Sequence, residues 1–255
     1  MKRLHAGMKA ASLILFVLSA ASALAAAEPS GAPDPAALLA RVDANELYDT
    51  IAYEGEMVIE YKGKRFVKEF KAFGRENRDS FIEFTNSEDA GTKYLKKDGR
   101  LFVYSPDTEQ VMPISGHMLK ESMMGSDLSY EDAIENDGLA KRYVPTLAGS
   151  DSYAGRDVWV LDLAAVRKTE SYPRQRLFIA KDTLDCVHYE LYALSGGRLK
   201  EYNLIRIEQI GSRRFPVESE MRDLLRKGSR TLFKLGNVEI DKPIADSVFS
   251  TRNLK

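Results

Sequence analysis

His117, His188 and Cys186 are the only imidazole and thiol side chains between residues 26 and 255. A Ser/His/Asp triad could be assembled around either histidine only by arbitrary choice of partners, and geometry rather than presence defines a triad. Cys186 could serve as a redox or acyl-transfer nucleophile, but its strand-like surroundings favour a buried structural position. As the only cysteine it has no partner for an intramolecular disulfide, so stability must come from packing. Met112, Met118, Met123 and Met124 surround His117 and offer soft ligands to Cu(I). Their spacing is irregular, and unbranched thioethers suit adaptable apolar surfaces, which favours core or lipid contact. Glu131-Asp132 and the Glu218/Glu220 pair read as solvated faces or caps. No Gly-x-Ser-x-Gly elbow, Walker loop, His-Glu-x-x-His pair or paired-cysteine motif occurs. The chain is therefore expected to be no enzyme, with no cofactor and no metal site.

At the N-terminus, Lys2, Arg3 and Lys9 precede an apolar run from Ser12 to Ala21 and a small-x-small site at Ala23-Leu24-Ala25. That is the pattern of a secretory signal (residues 1–25), cut after Ala25 or Ala27. The run is short for a spanning helix, which favours cleavage over an uncleaved anchor. No cysteine adjoins the cut to carry a lipid, so the expected location is the periplasm. Without the signal's three cations, 34 of the 37 basic residues face 38 acidic ones, a net charge of −4. This balance argues against a nucleic-acid partner. Two basic clusters, Arg213-Arg214 and Arg222, Arg226, Lys227 and Arg230, read first as exposed strand ends and a turn, and second as a headgroup or partner patch.

Residues 26–35 form a Pro-rich tether. Asp34-Pro35 then marks an N-cap and N1 proline, and the spacing of Leu39, Val42 and Leu47, with Leu38 at the edge, predicts a helix over 35–48. From Ile51 the period changes to two: Met57, Ile59 and Tyr61 alternate with polar residues, and after Lys62-Gly63-Lys64 a second run carries Phe66, Val67, Phe70 and Phe73. Similar runs recur to Ile240, separated by turn-like pairs such as Asp98-Gly99 and Gly196-Gly197. Eleven to thirteen strands are expected, one of them over Ala140 to Leu147. Between them lies a Met-rich stretch, Gly116 to Met124. It leads to Ser129, whose spacing to Asp132 approximates a capping box for a short helix.

Several segments resemble the outer-membrane lipoprotein-sorting protein family, related to the periplasmic lipoprotein carrier of Gram-negative bacteria and LolA-like. They are Gly91-Thr92-Lys93-Tyr94-Leu95 with Leu101 to Pro106, Met124-Gly125-Ser126-Asp127-Leu128-Ser129-Tyr130-Glu131-Asp132, Phe215-Pro216-Val217 with Met221 and Asp223, and Ile244 to Ser250. The resemblance implies a half-open barrel with an apolar concave face, lidded by helices, that holds acyl chains.

The strand count and the resemblance agree on a mainly β (α+β) fold, a strongly curled antiparallel sheet forming a half-open barrel with helices covering its concave side, over a single domain from 36 to 255. Alternation alone selects Met57, Ile59, Tyr61, Phe66, Phe70, Trp159, Leu161 and Leu163 as candidate cavity lining, with Met118, Met123 and Met124 as candidate lid contacts. The expected function is a periplasmic carrier of lipoprotein or lipid acyl chains toward the outer membrane, between an inner-membrane donor and an outer-membrane acceptor. The alternative is a lipid-sensing regulator of an envelope-stress pathway. Regulators of this fold carry an additional C-terminal domain, which ranks that alternative second.

Overall fold

Asp34 and Pro35 open the first helix as their types predict: Asp34 stays extended and its carboxylate accepts the Ala37 N–H at 2.9 Å. In the computed structural model, which describes residues 31–255 except 77 and 135–137, α1 spans Pro35–Glu46. The expected signal and residues 26–30 of the tether lie outside the described residues. Leu38, Leu39 and Val42 are buried. The helix stops short of the expected residue 48, because Leu47 is extended and its carbonyl accepts from Arg213. Leu47 consequently falls off the packed face and is half exposed.

Thirteen strands follow: β1 Thr50–Tyr61, β2 Lys64–Arg75, β3 Asp79–Phe84, β4 Lys93–Lys97, β5 Arg100–Ser105, β6 Gln110–Ile114, β7 Tyr143–Tyr153, β8 Arg156–Ala165, β9 Arg174–Ala180, β10 Cys186–Tyr192, β11 Arg198–Ile210, β12 Arg213–Asp223 and β13 Arg230–Ile240. The run expected at Ala140 to Leu147 divides differently. Leu139–Arg142 is a helical turn, here α3 because the short α2 (Tyr130–Ile134) precedes it, and the strand begins at Tyr143. The Asp43 carboxylate accepts the Leu139 and Ala140 N–H groups at 3.0 and 2.7 Å, capping that turn from outside its own segment.

The strands form one antiparallel sheet in the order β6-β5-β4-β3-β2-β1-β13-β12-β11-β10-β9-β8-β7. Directly paired residues share a face, so register can be followed across the sheet. Met57 pairs with Phe233, Phe233 with Ser219, Tyr202 with Met221, Tyr189 with Tyr202, Leu177 with Tyr189, and Leu161 with Leu177. This inner face carries two apolar clusters. Met57, Ile59, Phe70, Phe84 and Tyr94 pack with Met123 on the β1–β5 side, and Leu161, Leu163, Leu177 and Ile179 pack with α1 on the other.

The outer face is covered differently. Two 3-10 turns, Asp246–Phe249 and Thr251–Leu254, bury Phe249 and Leu254 against Phe81 and Leu95. Across β8 to β12 the outward residues Asp162, Arg176, Glu190, Glu201 and Arg222 stand opposite one another in register. Arg176 meets Asp162 at 2.7 Å, and Arg198 bridges Glu190 and Glu201. Glu220, expected to be solvated, is buried there with Arg222 at 2.7 Å and Arg230 at 3.4 Å.

Gly55 lies opposite Phe70, and a side-chain carbon on it would come within 2.3 Å of that ring. Phe70 is held in turn by Tyr53 and Phe84, at ring separations of 6.3 and 5.9 Å. Gly55→Ala is therefore expected to cost about 1–3 kcal/mol by overpacking. The loss should shrink in a Phe70→Leu background, and a urea-denaturation double-mutant cycle without coupling would contradict this packing.

Candidate functional site

Because β6 and β7 stand on opposite edges, the segment 115–142 must cross the sheet, and it does so over the inner face. Met124 and Gly125 have φ of 53° and 78°, which reverses the chain. The following Ser126 and Asp127 are both 1 % exposed. Asp127 is the anchor: its carboxylate accepts from Thr231 Oγ1 at 2.7 Å and from the Asp223 N–H at 3.0 Å, while its own N–H donates to Thr231 Oγ1 at 2.9 Å. Tyr94 donates its hydroxyl to the Met124 sulfur at 3.1 Å, and burial pushes its pKa well above the usual tyrosine value.

Downstream, Ser129 and Asp132 form the expected reciprocal cap of α2 (Tyr130–Ile134). The Ser129 N–H donates to Asp132 Oδ2 at 2.8 Å, and Ser129 Oγ accepts the Asp132 N–H at 3.2 Å. The same carboxylate, expected to be no more than a cap, also accepts Tyr172 Oη at 2.7 Å and Lys200 Nζ at 2.5 Å. Burial, then the neighbouring Asp132 charge, pushes the Tyr172 hydroxyl far up, so it stays a donor. Beyond α2, buried Arg142 pairs with buried Glu170, which also accepts from Arg167.

Between this crossover, the end of α1 and the inner face lies a cavity of about 460 Å³. That size is within the roughly 300–1,000 Å³ of small-ligand pockets. Its walls are largely apolar, with Ile51, Tyr53, Leu177, Leu191, Phe215 and Met221 among them. Tyr189 and Tyr202 stack in the wall, 4.6 Å apart and nearly parallel. Polar groups sit at its margins: Asp132 and Arg142 below the crossover, and the Arg214–Asp185 pair at 2.8 Å. Desolvation raises the pKa of the half-buried Tyr53 above the usual tyrosine value.

Register places all eight residues selected by alternation on the inner face, but none of them lines this cavity. Met57, Ile59 and Phe70 are packed beneath the crossover, Leu161 and Leu163 beneath α1 with Trp159 beside them. Phe66 is 42 % exposed, and Tyr61 lies under the Arg226 guanidinium at 4.7 Å. Of the methionines, Met123 is buried against the β1–β5 cluster, Met124 packs on its edge, and Met118 and Met112 are exposed. Cys186 is half buried and lines the cavity, its thiol donating to the His188 carbonyl at 3.4 Å. His188 faces outward, with Nδ1 2.6 Å from the Tyr202 carbonyl and its ring stacked on Tyr153 at 4.5 Å. His117 is exposed in a 3-10 turn. Among the described residues no His/Cys/Asp/Glu group has metal-holding geometry, and no helix is long and apolar enough to cross a membrane.

The groups that hold the crossover and that alternation missed are Asp127, Thr231, Tyr172 and Lys200. Only Asp127 had a signal, its place in the Met124–Asp132 segment. The others acquire their roles through contacts 40 to 104 residues away in sequence.

The thirteen-stranded antiparallel sheet has a LolA-like fold, and structural comparison finds the same architecture. A DUF1329 family protein from Desulfovibrio piger matches with TM-score 0.79 at 27% identity, over 88% of this chain and 100% of that one. An outer membrane lipoprotein-sorting protein domain from Vibrio parahaemolyticus matches at 0.77 and 18% identity, over 86% and 97%. A LolA superfamily protein from Nitrosomonas europaea matches at 0.71 and 18%, over 87% and 100%. The resemblance carried by the sequence segments thus holds. A family model described as "-like: Uncharacterized protein" matches residues 76–255, and the chain belongs to that family. No curated protein matches the sequence.

Asp127→Ala removes the two hydrogen bonds its carboxylate accepts at a buried site, leaving the Asp223 N–H and Thr231 Oγ1 without that acceptor, and is expected to cost about 2–4 kcal/mol in chemical denaturation. Burial raises the Glu170 carboxyl, but hydrogen bonds from Arg142 and then Arg167 outweigh it and hold it below its ordinary value. A depressed carboxyl stabilises the fold above its unfolded pKa, about 4.3, and loses that contribution as pH falls through the folded value. Glu170→Gln should therefore destabilise at pH 7 by about 3 kcal/mol. The gap to the native chain should close in thermal melts below about pH 4.

Proposed function

We propose that the protein is a non-enzymatic periplasmic carrier that shelters the acyl chains of a lipoprotein or lipid in the cavity beneath its crossover and ferries them toward the outer membrane. The observation that carries this reading is the apolar cavity of about 460 Å³, walled by strands on one side and by the crossover and α1 on the other. At about 0.8 kcal/mol per buried CH₂, two sixteen-carbon chains in water represent roughly 25 kcal/mol of exposure. A soluble carrier must offer equivalent apolar surface. It must also let go, which requires that the surface have another occupant when empty.

The sheet is proposed to curl into a half-open barrel with these helices on its concave side. β4 and β11 stand six strands apart, about 29 Å in a flat sheet. The five-residue α2 is only about 7 Å long. It nevertheless reaches Tyr94 on β4 through Tyr130, and Lys200 on β11 through Asp132. In this picture the Met57, Ile59 and Phe70 layer, with Met123 and Met124 against it, is the second half of the lipid site, covered while the carrier is empty. Met118 sits at the outer rim of that cover. Tyr61, Phe66, Trp159, Leu161 and Leu163 extend the same face. Export by cleavage of residues 1–25 would place the carrier between an inner-membrane donor and an outer-membrane acceptor.

Native mass spectrometry after gentle purification is expected to find bound acyl species, and a fluorescent fatty-acid probe should be taken up by the emptied protein. Repeated recovery of empty protein that also refuses the probe would sink the proposal. Leu191→Trp, which adds bulk to the cavity wall, should weaken probe uptake by about tenfold or more with little change in melting temperature.

A further inference from the structure

Three hairpin tips lie side by side at one end of the sheet, and their composition differs from the rest of the surface. The β12–β13 turn lies beside the β1–β2 turn, since Arg226 covers the Tyr61 ring at 4.7 Å. It adjoins the β10–β11 hairpin through the Leu224 N–H, which donates to the Leu199 carbonyl at 2.8 Å. Each tip exposes large apolar side chains: Leu225 is 76 % exposed, Leu194 88 % and Phe66 42 %. These are flanked by the exposed cations Lys62, Lys64, Arg65 and Lys227.

Most of the basic residues singled out from the sequence are committed elsewhere. Arg213, Arg214, Arg222 and Arg230 all pair with carboxylates. Among the described residues, Lys62, Lys64 and Lys227 join no ion pair within 4.0 Å. The nearby acids are occupied: Glu60 holds Arg230 at 2.8 Å, and Asp223 accepts the Leu225 N–H at 2.9 Å. At the same end of the sheet, the β3–β4 and β5–β6 connections carry Glu88, Asp89, Asp107 and Glu109 and no lysine or arginine; Lys68 of β2 pairs with Asp89 at 2.5 Å and Glu88 at 3.5 Å, one cation against the four carboxylates. The end is therefore cationic and apolar on one side and acidic on the other.

We propose that the β1–β2, β10–β11 and β12–β13 tips form a docking surface for an anionic phospholipid bilayer. Leu194, Leu224, Leu225 and Phe66 would enter the interfacial region, and Lys62, Lys64, Arg65 and Lys227 would meet headgroup phosphates. Charge complementarity selects this occupant. Lysines without an ion-pair partner, Lys62 resting on the Tyr61 ring at 5.0 Å, surround exposed leucines and are matched by a surface that is negative outside and apolar a few ångströms within, and the acidic tips orient the protein by repulsion. A few leucines with about four cations give weak, reversible, salt-sensitive attachment rather than anchoring. Arg226, in the same turn as Leu224 and Leu225, donates to the Gly125 carbonyl at 3.0 Å and to Ser122 Oγ at 3.2 Å. Docking would thus bring the bilayer against the turn that holds the crossover over the cavity. The surface is independent of what fills the cavity, so lipid uptake and bilayer docking can fail separately.

The test is flotation of the full chain with phosphatidylglycerol/phosphatidylcholine vesicles, roughly 1:3, against pure phosphatidylcholine. All variants share residues 1–25, so differences between them isolate the tips. The native chain should float with anionic vesicles and lose binding as salt is raised. K62E/K64E/K227E should lower its partition about a hundredfold, and L224S/L225S about tenfold. Both variants should melt and take up the fatty-acid probe like the native chain. Four results would overturn the docking surface: variants that float like the native chain, equal binding to neutral vesicles, salt-insensitive binding, or no vesicle binding alongside capture of an acidic protein by the same lysines.

Discussion

The connection from β6 to β7 has to travel from one edge of a thirteen-stranded sheet to the other, and it must do so without leaving buried backbone and carboxylate groups unsatisfied. Asp127 meets that constraint. Its carboxylate and N–H close three hydrogen bonds onto β12 and β13 near the middle of the strand order, at a site almost without solvent. Everything the crossover covers depends on that attachment, since a buried carboxylate without donors would be strongly unfavourable. The Met124-Gly125 reversal delivers Asp127 to its partners, and Tyr94 secures the preceding residue through the Met124 sulfur.

The crossover divides the inner face into two regimes. On the β1–β5 side Met123 and its neighbours are packed against the sheet, whereas on the β9–β12 side the segment stands away and leaves a cavity. Polar contacts hold the second side. Asp132 takes donors from Tyr172 and Lys200, and Arg142 from α3 reaches Glu170. Such contacts are directional, unlike the apolar packing on the first side.

Much of this was legible in the residues. The Asp34-Pro35 start, the Ser129/Asp132 cap, the hairpin turns and the alternation of Met57, Ile59, Phe70, Trp159, Leu161 and Leu163 onto one face are local properties, set by side-chain size, backbone freedom and a period of two. The segments that resemble the sorting family turn out to be mutually dependent: Tyr94 touches Met124 and Tyr130, and Asp127 holds the Asp223 N–H. Local pattern failed where a tertiary partner intervened. Leu47 was drawn out of α1 as Arg213 took its carbonyl, and Glu220 was buried rather than solvated because Arg222 on its own strand and Arg230 on the neighbouring one neutralise it.

What the sequence by itself determined is which residues point inward, where the chain turns and which segment interrupts the strands, since each follows from neighbours a few positions away. It could not distinguish inward residues that pack from inward residues that face open space. That difference depends on where a 28-residue crossover lies over the sheet, and its position is set by Thr231, Asp223, Lys200 and Tyr172, residues remote in sequence that only the folded register brings to Asp127 and Asp132. The tertiary structure alone therefore decided that the cavity lies among Tyr53, Leu191, Tyr202 and Met221 rather than over Met57 and Phe70.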